Sequence, residues 1–209
     1  MVKTVYRLRA KRPDPACLGA VWLGLLCCLC LCGRLSASGP EEIDTGRSML
    51  RVRVYRSGLF SALGHEHEVR APIQKGTFDV ESDSADLLVD ARTLRVVDAN
   101  TSEKDRAEIQ STMLGPKVLD SERFPEIRFH SSRVERSPDG KWRLHGELTL
   151  HGETRPVTVE GEGQKGHYRG WAQLRQKDFA MTPVTVAGGT VKVKDEVRVE
   201  FEIFGKGPN

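Results

Sequence analysis

From residue 49 onward the chain alternates. Residues 49–56 set Leu50, Val52 and Val54 on one side and Arg51, Arg53 and Tyr55 on the other. Residues 141–152 set Trp142, Leu144, Leu148 and Leu150 against Arg143, His145, Glu147 and Thr149. Residues 190–204 oppose Val191, Val193, Val197, Val199, Phe201 and Ile203 to a row of charges. Shorter runs repeat the pattern at Phe78 and Val80, at Leu87, Val89 and Ala91, at Ile127 and Phe129, at Val157 and Val159, and at Tyr168, Ala172 and Leu174. A period of two is that of a strand with one wet face and one dry face. The prediction is an all-β domain of about eight antiparallel strands with short connections.

Turn residues punctuate the runs at Pro138-Asp139-Gly140, at Gly152-Glu153 and from Gly161 to Gly166. The last strand is long and strongly alternating; left as an edge it would invite aggregation, which closure into a barrel avoids. Strands of this length suit an eight-stranded barrel with room for one ligand. Residues 101–114 break the period. Ser102 with Asp105 resembles a capping box, Ile109 and Met113 lie four apart, and Gly115-Pro116 is a stop signal, so one short helix is expected near the barrel mouth.

The first 38 residues read differently. Residues 1–16 are basic, residues 17–33 carry no charge, and Ser36 and Ser38 offer small residues at a cleavage site, the layout of a secretory signal peptide. The uncharged run also approaches the length of a bilayer span, so an uncleaved N-terminal apolar helix attached to the membrane is the alternative. Either way the domain is expected outside the cytoplasm, periplasmic or secreted. The division is 1–38 signal peptide or membrane anchor, 39–48 linker, and 49–205 barrel. All five cysteines lie at Cys17, Cys27, Cys28, Cys30 and Cys32, so the domain has no disulfide framework and no thiolate metal site. Net charge is +3 for the chain, but residues 1–38 hold six Lys and Arg against Asp14, so the remainder carries −2. That balance does not indicate a nucleic-acid partner.

Four motifs occur in order: Lys104-Asp105 in the expected helix; Phe124-Pro125-Glu126-Ile127-Arg128-Phe129 with Ser131 after it; Gly146-Glu147-Leu148-Thr149-Leu150-His151-Gly152; and Pro156-Val157-Thr158-Val159. Their order and spacing resemble the YceI family of polyisoprenoid-binding proteins over roughly residues 50–204. The resemblance implies a lipocalin-like extended barrel of eight antiparallel strands and an isoprenoid chain held in its lumen. Two features depart from the family pattern. Its single His in the first hairpin becomes His65-Glu66-His67, and its Asp-Phe-Gly becomes Asp178-Phe179-Ala180.

No nucleophile elbow, phosphate loop, dinucleotide fingerprint or HExxH helix is present. Asp83, Asp86 and Asp90 lack the spacing of a calcium loop and read as a solvated rim. His130, His145 and His151 fall on the polar side of their strands. If residues 63–69 are a strand, Leu63, His65, His67 and Val69 share an inward face. Three roles are open to the two imidazoles: core histidines satisfied by neighbours, anchors for a ligand head group, or a metal pair lacking an identifiable third ligand. The ligand-binding set is His65, His67, Leu63 and Val69, with Phe78, Val89, Met113, Phe129, Leu148, Phe179 and Phe201 lining the lumen. The leading expectation is non-catalytic sequestration of an isoprenoid-like lipid, with no cofactor and a homodimer left open. The rival is a metal-dependent enzyme or metal sensor centred on His65 and His67.

Overall fold

The computed structural model describes residues 39–57, 67–186 and 191–207. The leader, residues 1–38, lies outside them, as do Leu63 and His65. The strands are β1 (Glu41–Glu42), β2 (Met49–Ser57), β3 (His67–Ala71), β4 (Ile73–Asp79), β5 (Ser84–Asp90), β6 (Arg95–Val96), β7 (Glu126–Arg136), β8 (Lys141–Leu150), β9 (Glu153–Gln164), β10 (His167–Arg175), β11 (Thr185–Val186) and β12 (Val191–Phe204). One α-helix, α1 (Glu103–Leu114), lies between β6 and β7. Single 3-10 turns occupy Ala91–Thr93 and Gln176–Phe179.

Every pairing is antiparallel, in the order β1-β4-β5-β7-β8-β9-β10-β12-β2-β3-β6, with β11 beside β12. The sheet curls back on itself. Ile43 bridges Gly205, Asp44 N–H donates to the Phe204 carbonyl at 2.7 Å, and Lys206 N–H donates to the Glu42 carbonyl at 2.9 Å. The segment carrying β1 thus binds β4 on one side and the end of β12 on the other. The result is a lipocalin-like barrel.

Among the described residues there are twelve strands rather than the eight expected. β6 and β11 are two residues each, too short to show a period. Short breaks also separate β1 from β2 and β3 from β4. Between β1 and β2 the Asp44 carboxylate accepts the backbone N–H groups of Gly46 and Arg47 and folds a turn. Pro72, which has no N–H to give a ladder, separates β3 from β4. The stretch 39–48, expected as a linker, therefore holds β1 and the buried Ile43. Gly76 makes room for Ile43: a Cβ there would sit 2.6 Å from Ile43 Cδ1.

One hairpin turns one residue before the expected Gly152-Glu153, and the next turns at the end of the expected Gly161–Gly166 stretch. His151 and Gly152, with φ of 52° and 78°, connect β8 to β9, and Lys165 and Gly166, at 54° and 76°, connect β9 to β10. Two left-handed residues in a two-residue loop make the turn whose twist matches the strands. The helix forms where expected. Ser102 Oγ accepts the Asp105 N–H at 3.1 Å and donates to the Asp105 carboxylate at 2.8 Å, and Gly115 ends the helix. Ile109, Met113 and Leu114 pack on the core.

Candidate functional site

Cross-strand partners share a face, so the register identifies the lining of the barrel. One row runs Val134–Leu144–Val159–Ala172–Val199–Val52–Val69–Val96 across β7, β8, β9, β10, β12, β2, β3 and β6. All eight are apolar and face inward. In a filled barrel such residues would be buried. Here Ala172, Val69 and Val96 are buried, while Val134, Leu144, Val159, Val199 and Val52 are only half-buried. Phe129 is half-buried as well. Among the described residues the buried core cluster draws on β2 to β6, β10 and β12 and does not include Phe129, Val134, Leu144 or Val159. Ile127, Leu148, Leu150 and Val157 of β7–β9 pack against that core, whereas Phe129, Val134, Leu144 and Val159 of the same strands lie outside it and form a mainly aliphatic inner wall.

Aromatic side chains gather toward one end. The next inward row reads Trp142–Gly161–Gly170–Phe201–Leu50–Ala71. The paired glycines leave the space that the rings fill. A Cβ on Gly161 would lie 2.4 Å from the Trp142 ring, and one on Gly170 would lie 2.6 Å from Phe201 Cζ. Trp142 meets Phe201 at 6.0 Å and Tyr168 at 6.4 Å, and Tyr168 meets Phe78 edge-on at 5.2 Å between centroids. Beyond them Arg136 pairs with Asp83 at 2.5 Å, and the hydrogen bond to that carboxylate holds the guanidinium above its ordinary pKa.

His67 lies in the row Leu174–Val197–Val54–His67, so its ring faces inward near α1. Its Nδ1–H donates to Asp98 Oδ2, and Asp98 Oδ1 accepts the Glu68 N–H at 2.6 Å. A carboxylate oxygen can only accept, so the proton is on Nδ1, and the ring's other polar contacts fall to Nε2. Two helix side chains bind the segment that carries Asp98. Gln110 Oε1 accepts the Val96 N–H and its Nε2 donates to the Leu94 carbonyl, both at 2.8 Å. Arg106 Nη2 donates to the carbonyls of Asp98 and Thr101 at 3.0 and 2.9 Å. Gln110 thus continues the hydrogen-bonding edge of β6, and Arg106 is half-buried. Asp98 escaped the sequence reading, although it continues the inward phase of Val96.

The remaining nominated residues spread over both core and interior. Val69, Phe78, Val89 and Phe179 are buried, the last only 1 % exposed, so its ring is packing. Met113, Phe129, Leu148 and Phe201 are half-buried. His130 is exposed and bonds Asp86 at 2.8 Å. His145 and His151 are half-buried rather than exposed. His151 leaves the strand pattern because it forms the hairpin turn, where its Nδ1–H donates to the Phe179 carbonyl at 3.0 Å and its ring meets Phe124. Asp83, Asp86 and Asp90 each face a basic partner, Arg136, His130 and Arg92, and the Arg92 hydrogen bond holds the Asp90 carboxyl below its ordinary pKa. Among the described residues no group of three or more His, Cys, Asp or Glu side chains could hold a metal ion. The metal reading thus gains no support.

A curled antiparallel sheet with an aliphatic interior and one short helix defines a lipocalin-like binding barrel. The chain belongs to the YceI family: residues 42–204 match the model of the YceI-like domain. Among curated proteins it is 29% identical over 170 residues to a UPF0312 protein of Vibrio cholerae serotype O1, covering 76% of this chain and 84% of that one. It is 28% identical over 123 residues to a UPF0312 protein of Vibrio campbellii, spanning 64% of that protein's length and 54% of its own. Among solved structures the fold is shared with Burkholderia cenocepacia BcnA, at a TM-score of 0.55 and 19% identity, over 77% of this chain and 98% of that one. Proteins of this family are binding proteins rather than typical enzymes.

Proposed function

We propose that the protein sequesters an isoprenoid-like lipid in its barrel without catalysing a reaction, and does so outside the cytoplasm. The observation that carries this reading is the unbroken aliphatic row from Val134 to Val96, with five of its eight side chains still partly open to solvent. Burying a methylene there contributes about 0.8 kcal/mol, so a long prenyl chain needs few polar contacts to bind. His67, on the inward face, is the candidate side chain to orient a hydroxyl on the lipid head. The location outside the cytoplasm rests on the basic, then apolar, then small-residue order of residues 1–38.

Mass spectrometry of organic extracts from natively purified protein tests the function. An isoprenoid chain at near-stoichiometric amount is expected. Protein free of lipid that also takes up none from prenol-loaded vesicles would overturn it. A reporter fused after Asn209 tests the location, and activity in the cytoplasm would refute it.

A further inference from the structure

The outer face of β2, β3 and β6 carries an unusual row. The register places Arg51 directly opposite Arg70, and Arg70 directly opposite Arg95. Neighbouring strands lie about 4.8 Å apart, so three guanidinium groups start from a span of about 10 Å. Like charges directly opposite one another destabilise a sheet. On the other side of Arg51 the register places Glu200, whose carboxylate bonds Arg53 and Arg198. Arg51 approaches Glu68 at 3.6 Å, Arg95 Nη1 donates only to the carbonyls of Arg92 and Leu94, and among the described residues no carboxylate pairs with Arg70.

Elsewhere the outer face is arranged the other way. Arg53 meets Glu200 at 2.9 Å, Arg169 meets Glu162 at 2.5 Å, and Arg155 meets Glu153 at 2.8 Å. The arginine row is therefore a local concentration on a domain of net charge −2, not a product of overall basicity. Two residues beyond Arg95 on the same side, Val97 is 37% exposed, one of two large apolar side chains so exposed among the described residues.

We propose that this face docks on the anionic surface of a phospholipid bilayer. The charge complementarity is direct: a plane of lipid phosphates supplies several anions to a row of cations, and an apolar side chain beside the row meets the layer just beneath the head groups. The proposal takes from the preceding reading only that the cargo is drawn from a membrane. The face binds empty vesicles whether or not the interior holds a lipid.

The test is co-sedimentation of the protein, in the form recovered from cells, with vesicles of phosphatidylcholine alone or with a third phosphatidylglycerol. The difference between the two vesicle types is read, and because a retained basic leader would also favour phosphatidylglycerol, every variant is compared with the wild type in the same N-terminal form. A basic residue near an anionic membrane is worth roughly 5-fold in affinity, so Arg70→Gln should weaken the phosphatidylglycerol-dependent binding roughly 5-fold and the triple change Arg51→Gln/Arg70→Gln/Arg95→Gln roughly 100-fold. High salt should abolish it. Arg169→Gln, which removes one charge from another part of the outer face, should leave it within 2-fold. Melting temperatures of all variants confirm folding, and the triple variant should melt no lower than the wild type. Equal binding to both vesicle types, or full binding by a folded triple variant, would overturn the proposal. So would displacement by short polyaspartate at charge concentrations far below the lipid's, which would assign the face to an acidic protein. None of these outcomes alters what organic extraction finds in the lumen.

Discussion

Ala180 stands in the left-handed region at φ 56°, directly after the 3-10 turn Gln176–Phe179, where its N–H donates to the carbonyls of Gln176 and Lys177. A β-carbon crowds the following carbonyl there, and glycine would not. Ala180→Gly is therefore expected to stabilise the fold by about 1 kcal/mol, read as a higher urea midpoint at unchanged slope. A lower midpoint would show that the methyl group packs better than the turn is strained. Asp98 gives the opposite case. It is 7% exposed and accepts from both His67 and the Glu68 backbone, so Asp98→Ala leaves two donors without a partner. A loss of about 3 kcal/mol is expected in the same assay. Glu200 sets a pH dependence. Its hydrogen bond to Arg53 holds its carboxyl below the ordinary value of 4.5. A carboxyl depressed in the folded state adds stability above its unfolded pKa and loses it as pH falls through the folded one. The pair is partly solvated, so the effect is small. Stability should decline from just below pH 4.5, and Glu200→Gln should make that decline shallower. Identical acid limbs in both proteins would remove the pair from the account.

The helix and the glycine-bearing strands were legible in the sequence to different degrees. Ser102, Asp105 and Gly115 mark the ends of α1, and the structure uses each of them. Ser102→Ala should cost about 1 kcal/mol, because the Asp105 N–H then loses its acceptor. Gly161 was expected in a turn, yet it lies inside a strand, paired with Gly170 of the next. What decides their place is a ring on a neighbouring strand, and no local pattern carries that. A Cβ on Gly170 would meet the Glu160 carbonyl oxygen at 2.1 Å, a backbone atom that cannot swing away. Gly170→Ala should thus destabilise by roughly 1–3 kcal/mol, and an unchanged melting temperature would contradict the close approach. The strands of β7–β10 and β12 could be read because one wet face forces alternation. β1 could not, since two residues show no period and its partners arrive from distant parts of the chain. Likewise His67 could be placed on the inward face from Val69, whereas its bond to Asp98 depends on a pairing between β3 and the segment after β6.

For the molecule as a whole, the proposed lipid-holding lumen makes a prediction that a filled core would not. Val199→Phe in a packed core costs roughly 1–3 kcal/mol. In a half-open lumen the ring takes the space of the lipid, so stability should change by less than about 1 kcal/mol while extracted lipid falls sharply. Lost stability with undiminished lipid would place Val199 in packing. Thiol reductant should leave the melting temperature of protein lacking residues 1–38 unmoved, because no cysteine follows Cys32. A shift of several degrees would contradict this. The bridge between Ile43 and Gly205 has a further consequence. Glu42 and Lys206 also pair there, so the chain enters and leaves the barrel at one seam. The order of its segments can then be rewritten without redrawing the barrel. A few residues joining Gly207 to Glu41, with new termini opened at the Ser137–Gly140 turn, should give a circular permutant that refolds to the same barrel.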